Sequence, residues 1–176
     1  MRHLLKLGHK RIAFLQDSDL GSVSRQRLAG YRDALAETGI VTNESWVRFL
    51  DEQDRLGSYR ASAEVAMTQW LENDWRETGC TALVAHNDET AIGAIKALRE
   101  HGLRVPRDVS VIGFDGTELS ELSTPSLTTV KVPLKKIGAA AVQMLAEQME
   151  AGKVGEPQNI ILPVKLKMGE SCAAVK

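Results

Sequence analysis

Short apolar runs alternate along this chain with longer stretches whose apolar residues recur every three or four positions. That alternation predicts strands and helices in turn. The run Arg11-Ile12-Ala13-Phe14-Leu15, closed by the polar residues 17–24, reads as a buried strand. Ser24 is the expected cap of a helix that carries Leu28, Tyr31 and Leu35 on one face and stops at Gly39. Residues 46–50 form a second apolar run ending in Asp51-Glu52, and a longer helix over about 58–74 presents Ala63, Ala66, Trp70 and Leu71 together. Residues 81–85 predict a third strand. Asn87 is placed to cap the helix that follows to Glu100, with Gly102 just past its end. Pro106 marks a turn before a fourth strand at 109–112. A Gly-, Asp-, Ser- and Thr-rich loop over 113–126 leads to a strand at 127–132, a helix opened by Pro133 and reaching about Gly152, and a last strand at 160–164. Strands and helices alternating at this spacing imply an α/β fold, a doubly wound parallel sheet with helices on both faces.

Composition narrows the function. At 176 residues with 43% hydrophobic content, the chain can bury one full core without disulfides or metals. Twenty-two Lys and Arg against 23 Asp and Glu leave a net charge of −1, without the clustered positive excess of a free-standing nucleic-acid binder. No apolar run approaches the ~18 residues of a membrane span, and residues 1–8 are too short and too polar for a secretory signal. A cytoplasmic domain that does not engage a membrane is expected. Cys80 and Cys172 form no C-x-x-C pair, and His3, His9, His86 and His101 are scattered. The spacing therefore predicts neither a zinc site nor a disulfide framework, and no cofactor.

In doubly wound sheets, ligands bind beyond the carboxyl ends of the strands. Here Asp17, Asp19 and Arg27 follow the first predicted strand, Asp51 the second, His86, Asn87 and Asp88 the third, and Asp115 the fourth. The first turn, Gln16-Asp17-Ser18-Asp19-Leu20-Gly21-Ser22, has no phosphate-binding glycine pattern. Such a rim suits a neutral, hydroxyl-rich small molecule: carboxylates accept from hydroxyls, while Asn and Arg donate in fixed geometry. Plainer roles stand beside these. Asn87 can be a helix cap only, Asp115 a turn residue, Arg27 an exposed helix charge, and Asp51, Glu52 and Asp54 a solvated loop. No nucleophile–base pair is visible, so no enzymatic activity is expected.

Several segments together resemble the LacI/GalR family of bacterial transcription regulators. They are Leu7-Gly8-His9-Lys10-Arg11-Ile12-Ala13-Phe14, Arg27-Leu28-Ala29-Gly30-Tyr31, Asn87-Asp88-Glu89-Thr90-Ala91-Ile92-Gly93, the run from Gly102 to Asp115, and Pro125-Ser126-Leu127-Thr128-Thr129-Val130. The end of the chain, from Leu162 to Ser171, is similar to the family's last strand. The resemblance implies a sensor domain like the periplasmic sugar-binding proteins, with an effector, a sugar, held between two lobes. It matches Arg27, Asn87 and Asp115 to the family's effector contacts, adds Leu134 after the Leu-Thr-Thr segment, and leaves Asp17 on the same rim. The aromatic that often stacks on the sugar has no clear match: Gln53 or Asp54 stands in its place. The resemblance further implies that residues 1–126 are the carboxyl-terminal lobe, 127–158 a strand and helix that cross to the other lobe, and 159–176 a returning strand and tail. DNA would be reached only through a head absent from this chain, as a homodimer of the full-length parent. A transport binding-protein lobe is the nearest alternative. A phosphoacceptor receiver domain is disfavoured, because its acceptor positions read His86-Asn87 and Gly113-Phe114. With the first lobe absent, the strand at 127–132 is expected to extend the sheet to the order 2-1-3-4-5. The following helix should then fold onto a face through its stripe of Ile137, Ala141, Met144 and Leu145, in preference to exchange between two chains.

Overall fold

A computed structural model describes residues 1–18, 21–50, 57–152 and 159–175 of the protein. Five parallel strands, β1 (Ile12–Gln16), β2 (Val47–Phe49), β3 (Ala82–Ala85), β4 (Ser110–Asp115) and β5 (Thr128–Lys131), join an antiparallel sixth, β6 (Lys165–Lys167), in the order β2-β1-β3-β4-β5-β6. Every residue of β1 is buried. Because neighbouring residues of a strand point to opposite faces, both sides of the sheet are covered there.

The helices are α1 (Arg2–Lys6), α2 (Ser22–Ala36), α3 (Tyr59–Asn73), α4 (Trp75–Thr78), α5 (Asp88–Glu100), α6 (Glu118–Leu122) and α7 (Leu134–Glu150). α2 seats Tyr31 on β1: its ring stacks on Phe14 with centroids 5.2 Å apart and its hydroxyl donates to the Ile12 carbonyl at 2.8 Å. α3 and α5 lie directly against each other. A Cβ on Gly93 would stand 2.2 Å from the Arg60 carbonyl oxygen, so only glycine permits this approach. Behind them Trp70 meets Trp75 edge-on at 5.2 Å. The tail clamps the opposite side, with the Ser171 hydroxyl donating to the Val111 carbonyl at 2.6 Å and accepting from the Thr128 amide at 2.9 Å.

Three expectations need correction. Gly21, not Ser24, precedes α2; Ser24 lies buried inside the helix, and its carbonyl accepts from Gln16 Nε2 at 2.6 Å. The last strand is not the apolar run 160–164. Ile160 and Ile161 are 50% and 86% exposed, and pairing begins at Lys165, since an edge strand is held through its backbone rather than by buried side chains. Finally, β5 does extend the sheet beside β4, giving the expected order over the first five strands, but α7 does not fold onto a face. No residue of α7 is buried, and Leu134, Ile137, Val142, Leu145 and Met149 are all exposed. The antiparallel return explains this. Lys131 pairs with Lys165, so the chain leaves and re-enters the sheet at the same edge, and α7 stands off that edge instead of running back along a face.

Candidate functional site

The carboxyl ends of the parallel strands gather most of the predicted side chains, and Arg27 ties them together. From α2 its guanidinium donates through Nη1 to the His86 carbonyl, just beyond β3, and lies 4.0 Å over the Phe114 ring of β4. Its Nη2 is 3.9 Å from Asp115 Oδ1. Burial lowers the Arg27 pKa, partly opposed by the Asp115 charge. Burial raises that of Asp115; Arg27 works against the shift, while Asp88 and Glu89 add to it. Arg27 is therefore not an ordinary exposed charge.

Asp115 ends β4 at φ +113°, the sole non-glycine at positive φ among the described residues. A side chain held there is strained, and such strain persists only where the surroundings enforce it. Asn87 is a helix cap: its Oδ1 accepts from the Thr90 amide at 2.8 Å, which leaves the Nδ2 donor without a partner among the described residues. Next to it the Asp88 carboxylate is 1% exposed and braces three elements. Oδ2 accepts from the Thr117 amide at 2.7 Å and the Thr117 hydroxyl at 3.0 Å, and Oδ1 accepts from the Thr129 hydroxyl at 2.5 Å. Gly113 makes room for this carboxylate, since a Cβ there would sit 2.5 Å from Asp88 Oδ1.

Asp17, directly after β1, is buried and accepts from the Tyr59 hydroxyl at 3.0 Å. The Tyr59 ring in turn lies 5.9 Å from the His86 ring. Gln16 Oε1 is 3.1 Å from His86 Nδ1, and because Gln16 donates through its own Nε2, the contact makes Nδ1 the protonated nitrogen. Burial, reinforced by the Arg27 charge, pushes His86 down to about 4, so the imidazole is neutral at pH 7. The site's charge is then one guanidinium against the carboxylates of Asp17, Asp88 and Asp115.

Leu134 is 65% exposed at the start of α7. The Val132 amide donates to the Asp115 carbonyl, which keeps Leu134 at the same edge, but no described interaction joins it to Arg27 or Asp115. Asp19, Asp51, Glu52, Gln53 and Asp54 lie outside the described residues. Tyr59, Gln16 and Phe114 were not singled out by the sequence, and His86 carried little weight there. The signal open to sequence reading was their position: Phe114 abuts Asp115, Gln16 abuts Asp17, and Tyr59 follows the Ser58 cap. Among the described residues no cluster of His, Cys, Asp and Glu suits a metal ion, and no helix is long and apolar enough to cross a membrane.

Residues 1–172 match the periplasmic binding protein-like domain family. The HTH-type transcriptional regulators AscG and GalR of Escherichia coli K12 are 38% and 36% identical over 89% and 94% of this chain. The crystal structure of a sugar-binding transcriptional regulator of the LacI family from Escherichia coli, complexed with phosphate, superimposes with a TM-score of 0.83. It is 36% identical, with 98% of this chain and 58% of that one covered. The chain belongs to the LacI/GalR family. It spans 44% and 46% of the length of those two regulators. The six-stranded sheet and its rim are thus the LacI/GalR effector-domain fold.

Proposed function

We propose that this chain is the effector-sensing lobe of a LacI/GalR-type transcriptional regulator, that its effector is a neutral sugar, and that Arg27, Asn87, Asp115 and Asp17 contact it. The observation that carries this reading is the Arg27 guanidinium, buried against the ends of β3 and β4 beside a strained Asp115. Donors with fixed directions (Arg27 and the Asn87 amide) stand beside carboxylate acceptors, the complement that a hydroxyl-rich ring requires. The excess of carboxylates over cations, with His86 neutral, favours an uncharged ligand over a sugar phosphate. Leu134 would supply an apolar contact from the start of α7. In the same reading residues 1–126 form one lobe and 127–158 lead toward another, which the unburied α7 supports. The effector would act by its differential affinity for two arrangements of the lobes, with the response passed to DNA through a dimer.

The test is a thermal-shift and calorimetric titration of the chain with neutral sugars and their phosphates. A ligand present at a hundred times its Kd stabilises the folded state by about 2.7 kcal/mol, a readily measured shift. Arg27→Ala and Asp115→Asn should abolish it. If no neutral sugar binds, or if Arg27→Ala binds as wild type does, the reading fails.

A further inference from the structure

At the opposite end of the sheet from Arg27, just before β3 begins, lies a hollow of about 330 Å³. Cys80 precedes β3 and His86 follows it, so about 20 Å of strand separates the hollow from the Arg27 cluster. Its floor is apolar, made by Leu71 of α3, Trp75 of α4, the Cys80 thiol and Leu103 beyond α5. Trp75 and Cys80 are buried, and Trp70 holds the Trp75 indole edge-on at 5.2 Å. Burial pushes the Cys80 thiol up to about 11, so it stays protonated and uncharged at pH 7.

Two guanidiniums stand at the rim. Arg76 lines it directly. Arg11, the residue before β1, lies across Gly79, where a Cβ would meet Arg11 Nη1 at 2.6 Å. Gly79 also has φ +58°, so glycine serves both the turn and the arginine. Neither guanidinium has a hydrogen-bonded or ionic partner among the described residues. Of the nearby acids, Glu72 lies 4.0 Å from His101 Nε2, and neither it nor Asp74 or Glu77 lines the hollow.

An apolar floor beside two unpaired guanidiniums complements a ligand with an apolar body and one carboxylate. Arginine offers a carboxylate paired N–H donors, while an aromatic body packs on Trp75, Leu71 and Leu103. A plain hydrocarbon would strip water from the guanidiniums and return nothing, and a small hydrophilic anion would leave the floor uncovered. At roughly 30 Å³ per water molecule, the space equals about eleven waters, room for one ring with a short acidic arm. We infer that this hollow is a second binding site, for a small aryl-alkyl monocarboxylate held by Arg76 and Arg11 with its ring against Trp75. The site does not depend on the sugar-sensing role.

Titration of the ¹⁵N-labelled chain with phenylacetate, and with phenylacetamide as its uncharged match, tests this by NMR. Phenylacetate should bind with a Kd of about 1 mM or tighter, ordinary for about ten non-hydrogen atoms. It should bind about tenfold more tightly than the amide, the scale of one charge-assisted contact. Resonance shifts should gather at the Trp75 indole N–H and the amides of Gly79 and Cys80. Arg76→Gln, a change at an exposed position, should remove the preference for the carboxylate, and Arg11→Gln should weaken it. No binding of phenylacetate, equal binding of the amide, a preference untouched by Arg76→Gln, or shifts confined to Asn87 and Asp115 would each overturn the assignment.

Discussion

Replacing Asp115 by glycine should make the protein more stable. At φ +113° the Asp115 backbone sits where L side chains rarely go, and a non-glycine held in such a region costs about 1–3 kcal/mol. Glycine relieves that strain but leaves a freer unfolded chain, which costs about 0.5–1 kcal/mol. The side chain itself gives little back. Its approach to Arg27 is 3.9 Å with the carboxylate 36% exposed, a geometry in which ion pairs contribute little. Burial also raises its pKa, against the pull of Arg27. The balance is a gain of up to about 2.5 kcal/mol, centred near 1, which at about 2–4 °C per kcal/mol for a chain of this size is a rise of a few degrees in Tm. Asp115→Ala is the control, because it removes the same carboxylate yet keeps a Cβ at the strained position. Paired thermal and urea melts of both variants decide the matter: glycine should lie above wild type and alanine well below glycine. If the two variants melt together, or glycine falls below alanine, strain at Asp115 is not the cause.

The remaining expectations concern packing, polar bracing and pH. Gly93→Ala should destabilise by about 2–3 kcal/mol, because its Cβ meets the Arg60 carbonyl at 2.2 Å and α3 must move off α5; the urea midpoint reports it. Asp88→Asn puts an amide among three donors and should cost about 2–3 kcal/mol, with hydrogen exchange quickening in β5 and the turn at Thr117. His86 binds its proton only near pH 4 when folded but near its ordinary value of 6.5 when unfolded. The unfolded state therefore takes up the proton first. Stability is full above about pH 6.5 and falls through the window down to about 4, on the order of 3 kcal/mol in all, so His86→Gln should flatten the pH dependence of Tm across that range.

Which features could be foreseen depends on how local they are. The cap at Asn87 and the buried run of β1 are written in adjacent residues, and the structure has them where the pattern puts them. Ser24 is the counter-example. A hydroxyl near a helix start resembles a cap, but glycine at position 21 begins the turn and Ser24 serves Gln16 instead. β6 was hidden for a different reason: Lys165-Leu166-Lys167 pairs through its backbone at an edge, which leaves no hydrophobic signature. The periodicity of α7 identifies an apolar stripe but not what covers it. At the candidate site, Arg27 and Asp115 stand out by placement at strand ends. The contacts of Tyr59 with Asp17 and His86 span tens of residues, and they exist only once α3 is docked.

α7 makes stability a plural quantity in this protein. Seventeen residues of helix with none buried gain little from packing, and their number is close to the length at which isolated helices are marginal in water. Its amides should exchange with solvent orders of magnitude faster than those of β1, and a protease should nick it while the sheet stays intact. The strands on either side of α7 are stitched to each other and to the tail by bonds that do not pass through it. A cut there would leave two fragments that remain together in solution. A melting curve would register the sheet, and the helix would already have frayed and reformed many times beneath it.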